Sequence, residues 1–346
     1  MSTVARLRGL GALVSALLGC VAAGHAVAAG RLNLYCAYPD AAVCRGLANG
    51  FGSAHDVKVS VVQKPTGELL AQVRAEAGNQ KADVWWGGPT DSFLLAAEEG
   101  LLEEYRSPKL GELHEWATRQ TAPSGYKTVG VYGALLVLGY NTELLQKKKL
   151  AAPQCWRDLL KPEFKGEIQL SNPQSSGTAY MALATLVQTF GEDAAFAFLK
   201  SLHPSVSTYQ RSGAGPLKAV ARGEATVGLA VLHGVLTEAA NGFPVGMAPP
   251  CEGASHEVGS MAIIKGARNL PNAKLFYDWA LSKPAQELPA SLKQYALPAA
   301  RAAAVSPAIP DTSKVKVVSY DYVRFGSAAE RKRLLGRWER EILGTQ

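Results

Sequence analysis

The stretch Ser171–Tyr180, reading Ser-Asn-Pro-Gln-Ser-Ser-Gly-Thr-Ala-Tyr, holds the side chains best suited to gripping a ligand. It follows a short β-like run, Gly166–Leu170, and opens an apolar-periodic segment, Met181–Phe190. Pro173 blocks an early helix start and biases Asn172 to an extended conformation. Ser175, Ser176 and Thr178 then offer hydroxyls beside Gly177, where a starting helix has N–H groups without internal partners. Free N–H groups, the positive end of a helix dipole and small donors together suit an anion. Taken alone, such a turn is more often an ordinary helix cap, so its companions decide the reading.

Three further loops have similar chemistry. Thr66 and Gly67 follow a β-branched run, Gly87 and Gly88 follow the strand-like Ala82–Trp86, and Ser212 and Gly213 lead into Pro216, which suits a first helical position. In an open α/β sheet, ligands meet the loops beyond the carboxyl ends of the strands. Four such loops favour a polar ligand with negative charge. His233 ends a strand-like run, where it would face the same cleft. Glu252 and Glu257 could accept hydrogen bonds from ligand hydroxyls or amines, and one of Trp85 and Trp86 could wall the cleft. No Gly-x-Ser-x-Gly elbow, His-Glu-x-x-His helix or Walker loop occurs, and nothing selects a nucleophile. The expectation is a binding protein with no catalytic residues, no resident metal and no cofactor.

These loops need strands to position them. Arg31–Tyr38, Val57–Val62 and Ala82–Trp86 read as strands, with helical patterns between them. Val129–Tyr140 is a long apolar run suited to carrying the chain from one domain to another. Beyond it the alternation resumes at Glu167–Leu170, Val206–Tyr209 and Thr226–Leu232, and Gly242–Pro250 is expected as the return crossing. Strand–helix alternation predicts mostly parallel sheets flanked by helices. The predicted fold is therefore α/β with two lobes and a two-crossing hinge. Lobe 1 takes 29–130 plus 246–300, and lobe 2 takes 131–245 plus 301–346.

The N-terminus stands apart from this plan. Arg6 and Arg8 precede the apolar run Leu10–Ala23, and Ala26-Val27-Ala28 offers small residues for signal peptidase. Residues 1–28 are therefore expected to be an export signal. Leu17-Leu18-Gly19-Cys20 loosely matches a lipoprotein box, but the Ala-Val-Ala site favours soluble export to the periplasm over a lipid anchor at Cys20. Removing the signal lowers the net charge from +7 to +5, a modest basic excess that suits small anions and is no nucleic-acid footprint. Four cysteines then remain, an even number that in an exported chain argues for disulfides. Cys36 and Cys44 are close enough to pair locally, leaving Cys155 for Cys251; sequence alone leaves other pairings open.

Several stretches then fall into one pattern: Asp83-Val84-Trp85-Trp86-Gly87-Gly88, Tyr140-Asn141-Thr142-Glu143-Leu144-Leu145, Lys165–Leu170, Ser171–Tyr180, Glu257–Ala267 and Tyr277-Asp278-Trp279-Ala280. In this order and spacing the chain resembles the ferric-ion-binding-protein-like group of type II periplasmic solute-binding proteins of ABC importers. The resemblance implies a monomeric bilobal receptor that closes on a solute and delivers it to an inner-membrane ABC permease. Ferric-ion members carry adjacent tyrosines after the strand that here reads Thr226–Leu232, whereas this chain has His233-Gly234. Phenolates suit Fe(III) and a lone imidazole replaces them poorly. The chain is more similar to members that bind sugar phosphates or phosphonates, although those often carry His-Asp at that point and a serine where Ala37 stands. A small organic anion, phosphorylated or phosphonate-like, is the expected solute. Ferric iron with a synergistic anion, and a secreted phosphate-ester hydrolase, are the alternatives.

Overall fold

The computed structural model describes residues 30–345, so the expected signal segment and Cys20 lie outside the described residues. β1 (Gly30–Cys36) pairs in parallel with β2 (Val57–Gln63) and with β3 (Val84–Pro89). The helices Ala41–His55 and Thr66–Ala75 provide the crossovers between them. Successive β1 side chains face opposite ways. Leu32 and Leu34 enter one apolar core, and Tyr35 enters a second core on the other face with Trp85 and Phe93. Burial on both faces explains why β3 and the end of β1 read as continuous apolar runs, whereas the edge strand β2 is largely exposed.

β4 (Val129–Asn141) and β9 (Ala254–Ile263) connect the two halves of the molecule. Val129–Leu135 of β4 lies antiparallel to β9, which in turn lies antiparallel to β3. From Leu136 onward β4 instead pairs with β7 (Val227–Val231), which adjoins β5 (Ile168–Ser171) and then β6 (Val206–Gln210). The full path runs β2-β1-β3-β9-β4-β7-β5-β6. The result is a two-lobed α/β fold, with a first-lobe core around Leu34, Phe51 and Phe276 and a second-lobe core around Trp156, Tyr180, Phe196 and Trp338.

The return crossing differs from the expectation. Within Gly242–Pro250, β8 (Val245–Ala248) stays on the second-lobe side, antiparallel to Leu138–Asn141 of β4. Pro249 and Pro250 cannot donate to a ladder, so pairing stops there and β9 makes the crossing. Both expected disulfides, Cys36–Cys44 and Cys155–Cys251, are present. Cys155–Cys251 staples the second lobe to itself, because Cys251 lies between β8 and β9 and its N–H donates to Gln154 O at 2.8 Å.

The C-terminal helix Ala328–Glu341 buries Leu334 and Trp338 in the second-lobe core. Arg333 and Arg337 on its other face pair with Glu192. No helix among the described residues is long and apolar enough to cross a membrane.

Candidate functional site

The loops beyond β1, β2 and β3 meet the loops beyond β5 and β6 around a cavity of about 190 Å³. Its lining includes Thr66, Gly88, Ser176, Gly177, Thr178, Ser212, Gly213 and Glu257, all expected from the sequence. The second-lobe wall is mainly backbone and hydroxyl. Ser176 is the extended N-cap of the helix Gly177–Phe190, and its Oγ accepts the Ala179 N–H at 3.2 Å. The Tyr180 N–H goes to the Ser176 carbonyl at 3.0 Å. The N–H groups of Gly177 and Thr178 therefore start the helix without intrahelical acceptors. Gly213 brings the next loop in close: a Cβ there would lie 2.8 Å from Thr178 Oγ1.

The opposite wall is made of side chains from several strands. Tyr38 and Tyr132 meet edge to face with centroids 5.2 Å apart, and Trp86 lies behind Tyr38 at 5.6 Å. The Tyr132 hydroxyl accepts the Gly88 N–H at 3.1 Å, whereas the buried Tyr38 hydroxyl has no hydrogen-bond partner among the described residues. Burial, with Glu257 and Asp40 nearby, holds the Tyr38 phenol well above its usual range. Gly88 takes φ +88°, and a Cβ on it would lie 2.2 Å from Thr66 Oγ1, so the turn requires glycine. Glu257, on β9, is 3% exposed and accepts the Thr178 hydroxyl at 2.9 Å. Burial pushes its carboxyl up to about 7, with Asp91 adding repulsion and the Thr178 bond opposing the rise.

The two walls touch. Gly67 N–H donates to Ser175 O at 3.1 Å, Arg211 pairs with Glu68 at 2.6 Å, and a Cβ on Gly177 would lie 3.0 Å from Pro89 Cδ. Gly67 and Ser175 thus sit at the contact between the walls and not in the lining; the Ser175 hydroxyl donates to Arg211 O at 2.9 Å. Gly87, at φ +86°, lies against the Tyr38 backbone. His233 is the second residue of the helix Leu232–Ala240, stacked on Tyr38 at 5.4 Å. It is 1% exposed, neither ring nitrogen has a partner among the described residues, and burial lowers its pKa to about 4, so the ring is neutral. It lines a neighbouring cavity of about 370 Å³ that shares Pro39, Gln63, Gly213 and Ala214 with the first.

Glu252 lies apart from these cavities. Its carboxylate accepts the N–H groups of Trp156 and Arg157 at 2.8 and 3.1 Å, so it caps a short 3-10 helix beside the second disulfide. Neither Trp85 nor Trp86 lines the first cavity; Trp85 stacks on Phe93 at 4.1 Å. Among the described residues, Cys155, Cys251 and Glu252 bring three ligand-type atoms together, but both sulfurs are committed to the disulfide. Sequence reasoning missed Tyr38, Gln63, Lys64 and Tyr132 in the lining. The signal for Gln63 and Lys64 was their place at the carboxyl end of a strand, the rule that found Thr66. Lys64 is the cation of the lining, with Nζ donating to Gln72 Oε1 at 2.7 Å.

The chain matches the family described as bacterial extracellular solute-binding protein over residues 79–325. An uncharacterized protein of Haemophilus influenzae is 43% identical over 328 residues, covering 94% of each chain. The periplasmic binding protein AfuA from Actinobacillus pleuropneumoniae, solved with exogenous fructose-6-phosphate bound, has a TM-score of 0.88 and 43% identity, covering 91% of this chain and 99% of that one. Iron-bound HitA from Pseudomonas aeruginosa shares the fold at a TM-score of 0.75 and 20% identity, covering 89% and 99%. By family match, by close relatives and by fold, the chain belongs to the bacterial extracellular solute-binding proteins, within the type II periplasmic group that serves ABC importers.

Proposed function

We propose that this receptor captures a phosphorylated sugar or a similar organic anion between its lobes and hands it to the permease without turnover. The start of the helix Gly177–Phe190 is the observation that supports this most. It brings the N–H groups of Gly177 and Thr178 and the hydroxyl of Ser176 to a cavity whose opposite rim holds Lys64, while the Thr178 hydroxyl donates to Glu257 at 2.9 Å. A helix N-terminus with small donors suits a phosphate. The sugar would then face Glu257, Tyr38 and His233. A carboxylate accepts from hydroxyls, and the orphan polar atoms of Tyr38 and His233 gain the partners that buried groups require. The fructose-6-phosphate bound to AfuA is in keeping with this class of ligand.

In this reading the protein is exported as a soluble monomer after loss of 1–28. The ligand-binding set is Thr66, Gly88, Ser176, Gly177, Thr178, Ser212, Gly213, His233 and Glu257, joined by Tyr38 and Lys64. The lobe boundary falls where β4 changes partners, between Leu135 and Leu136, a few residues beyond the expected break at 130. Ferric iron fits the donors less well. Tyr132 is occupied by Gly88 N–H, and the phenol of Tyr38 resists the ionisation that Fe(III) coordination needs.

Calorimetric titration with fructose 6-phosphate, fructose and inorganic phosphate tests the proposal. The expected result is one site for the phosphorylated sugar, at least ~100-fold weaker binding of fructose, and no released phosphate. Equal affinity for fructose would overturn it, as would a visible charge-transfer band formed with Fe(III) in place of sugar-phosphate binding.

A further inference from the structure

Beyond Pro298 the chain crosses between the lobes a third time. Ala299, Ala300 and Ala303 belong to the first-lobe core, whereas Tyr320 and Phe325 belong to the second. On the way, Val317-Val318 runs parallel to Ala254-Ser255 at the start of β9. The next residues bond to three elements that also lead to the ligand cavity. Tyr320 donates its hydroxyl to Asp91 Oδ1 at 3.0 Å, in the helix Thr90–Glu98 that follows Gly88-Pro89. Tyr322 donates to the carbonyl of His256 at 3.0 Å, next to Glu257. Tyr180, from the helix that begins at Gly177, donates to Phe325 O at 2.7 Å. Ala328 N–H then reaches Glu98 Oε2 at 2.8 Å.

We infer that the segment Tyr320–Ala328 is an interlobe strut that holds the cleft closed, with the Tyr320–Asp91 hydrogen bond as its working contact. Asp91 is 1% exposed, and its Oδ2 has no partner. A buried carboxylate is costly unless bonded or paired. Tyr320 provides the hydrogen bond. The buried Arg331 guanidinium, stacked over Tyr180 at 4.1 Å, provides the opposing charge. The strut requires that opening separate the helix Thr90–Glu98 from Tyr320; the Tyr320 hydroxyl then stabilises the closed form more than the open one, and removing it shifts the population toward open. A cavity of about 740 Å³, walled by Leu94, Ala97, Tyr320 and Val323 among others, flanks the strut and leaves room for it to move.

The test compares Tyr320→Phe, which breaks a contact between lobes, with Tyr180→Phe, which breaks one inside the second lobe. The binding readout rests on the ligand proposed above; small-angle scattering of ligand-free protein does not. Tyr320→Phe should speed fructose 6-phosphate dissociation about tenfold, with little change in association, and should enlarge the radius of gyration of the ligand-free protein. Tyr180→Phe should lower the melting temperature and leave both readouts near wild type. Wild-type dissociation and an unchanged radius in Tyr320→Phe would overturn the strut, as would equal effects of the two variants. If wild-type protein binds no fructose 6-phosphate, scattering decides, and equal radii for wild type and Tyr320→Phe overturn it.

Discussion

The two walls of the cleft are built in different ways. The second-lobe wall comes from two short loops, Ser176–Thr178 and Ser212–Ala214, and offers main-chain N–H groups and small hydroxyls. The facing wall takes Tyr38 from beyond β1, Lys64 from beyond β2, Tyr132 from β4 and Glu257 from β9. The first wall is local in sequence and needs only a glycine, a cap and a helix start. The second exists only once four strands have found their register. One is suited to a charge that every phosphorylated solute shares, and the other to whatever distinguishes one solute from the next. Variants in each wall should therefore fail in different ways.

The largest effect is expected from Gly177→Val. A Cβ at this position would lie 3.0 Å from Pro89 Cδ and 3.3 Å from Thr66 Cβ, both on the facing wall. A branched side chain would wedge the walls apart and also block an anion approaching the helix start. Loss of two or more charge-assisted hydrogen bonds at roughly 1.5–3 kcal/mol each predicts at least ~100-fold weaker binding of fructose 6-phosphate. The isolated helix tolerates valine, so the melting temperature should move by only a few degrees. Full affinity in this variant, measured by calorimetry, would remove the helix start from the site.

How legible each part was in the sequence follows from the same contrast. Pro173, the Ser-Ser-Gly-Thr turn and the apolar period after it announce a capped helix after a strand, and the structure has that helix at Gly177–Phe190. The succession of strands and helices and the Cys36–Cys44 bridge were readable for similar reasons, because alternation, turn chemistry and a separation of 8 residues are local. Cys155 and Cys251, 96 residues apart, were paired only by elimination, with other pairings open. Tyr38 and Tyr132 were not readable as cleft residues, because each ends or interrupts an apolar run that looks like core. Which face of β4 Tyr132 takes depends on a register with β9 that shifts between Gly130 and Tyr132. The two glutamates show the limit well. Glu252 and Glu257 are five residues apart and chemically alike, yet one caps Trp156 and the other enters the cleft. Only the strand start at Ala254 separates them.

Glu257 gives the intermediate effect, visible as a pH dependence. Its carboxyl titrates near 7 in the folded protein against an ordinary value of 4.5. Between those values the folded state binds more protons than the unfolded one, so stability from this group falls as pH rises and is flat above about 7. His233 has the opposite sign: with its pKa lowered to about 4, its contribution is lost as pH falls below 6.5. Asp91, raised to about 6, adds a decline with rising pH over a lower range. Comparing wild type with Glu257→Gln removes His233 from the difference and leaves Asp91 in it only through its repulsion with Glu257. Gln should be relatively more stable as pH climbs from about 4.5 to 7, by up to ~3 kcal/mol. Thermal melts at half-unit pH intervals check this, and a pH-independent gap would show that Glu257 is not buried as a carboxylate in solution.

The smallest effect should come from Lys64, the cation at the rim. Its ammonium is exposed and held by Gln72 Oε1, which in turn is oriented by its own Nε2 donating to Tyr35 Oη at 2.6 Å and Glu76 Oε1 at 2.9 Å. An exposed charge near a phosphate acts through high dielectric, so Lys64→Ala should weaken binding by only ~0.5–1 kcal/mol at low ionic strength. Raising the salt to about 1 M shortens the screening length to roughly 3 Å and should bring wild type and variant together. The N–H groups across the cleft are enclosed and do not share that screening. Titrations of both proteins with fructose 6-phosphate at low and high salt therefore separate the two kinds of anion contact. A loss that survives high salt would mean that Lys64 leaves Gln72 and enters the cavity when the solute is bound, placing a direct ion pair on the wall that otherwise recognises the sugar.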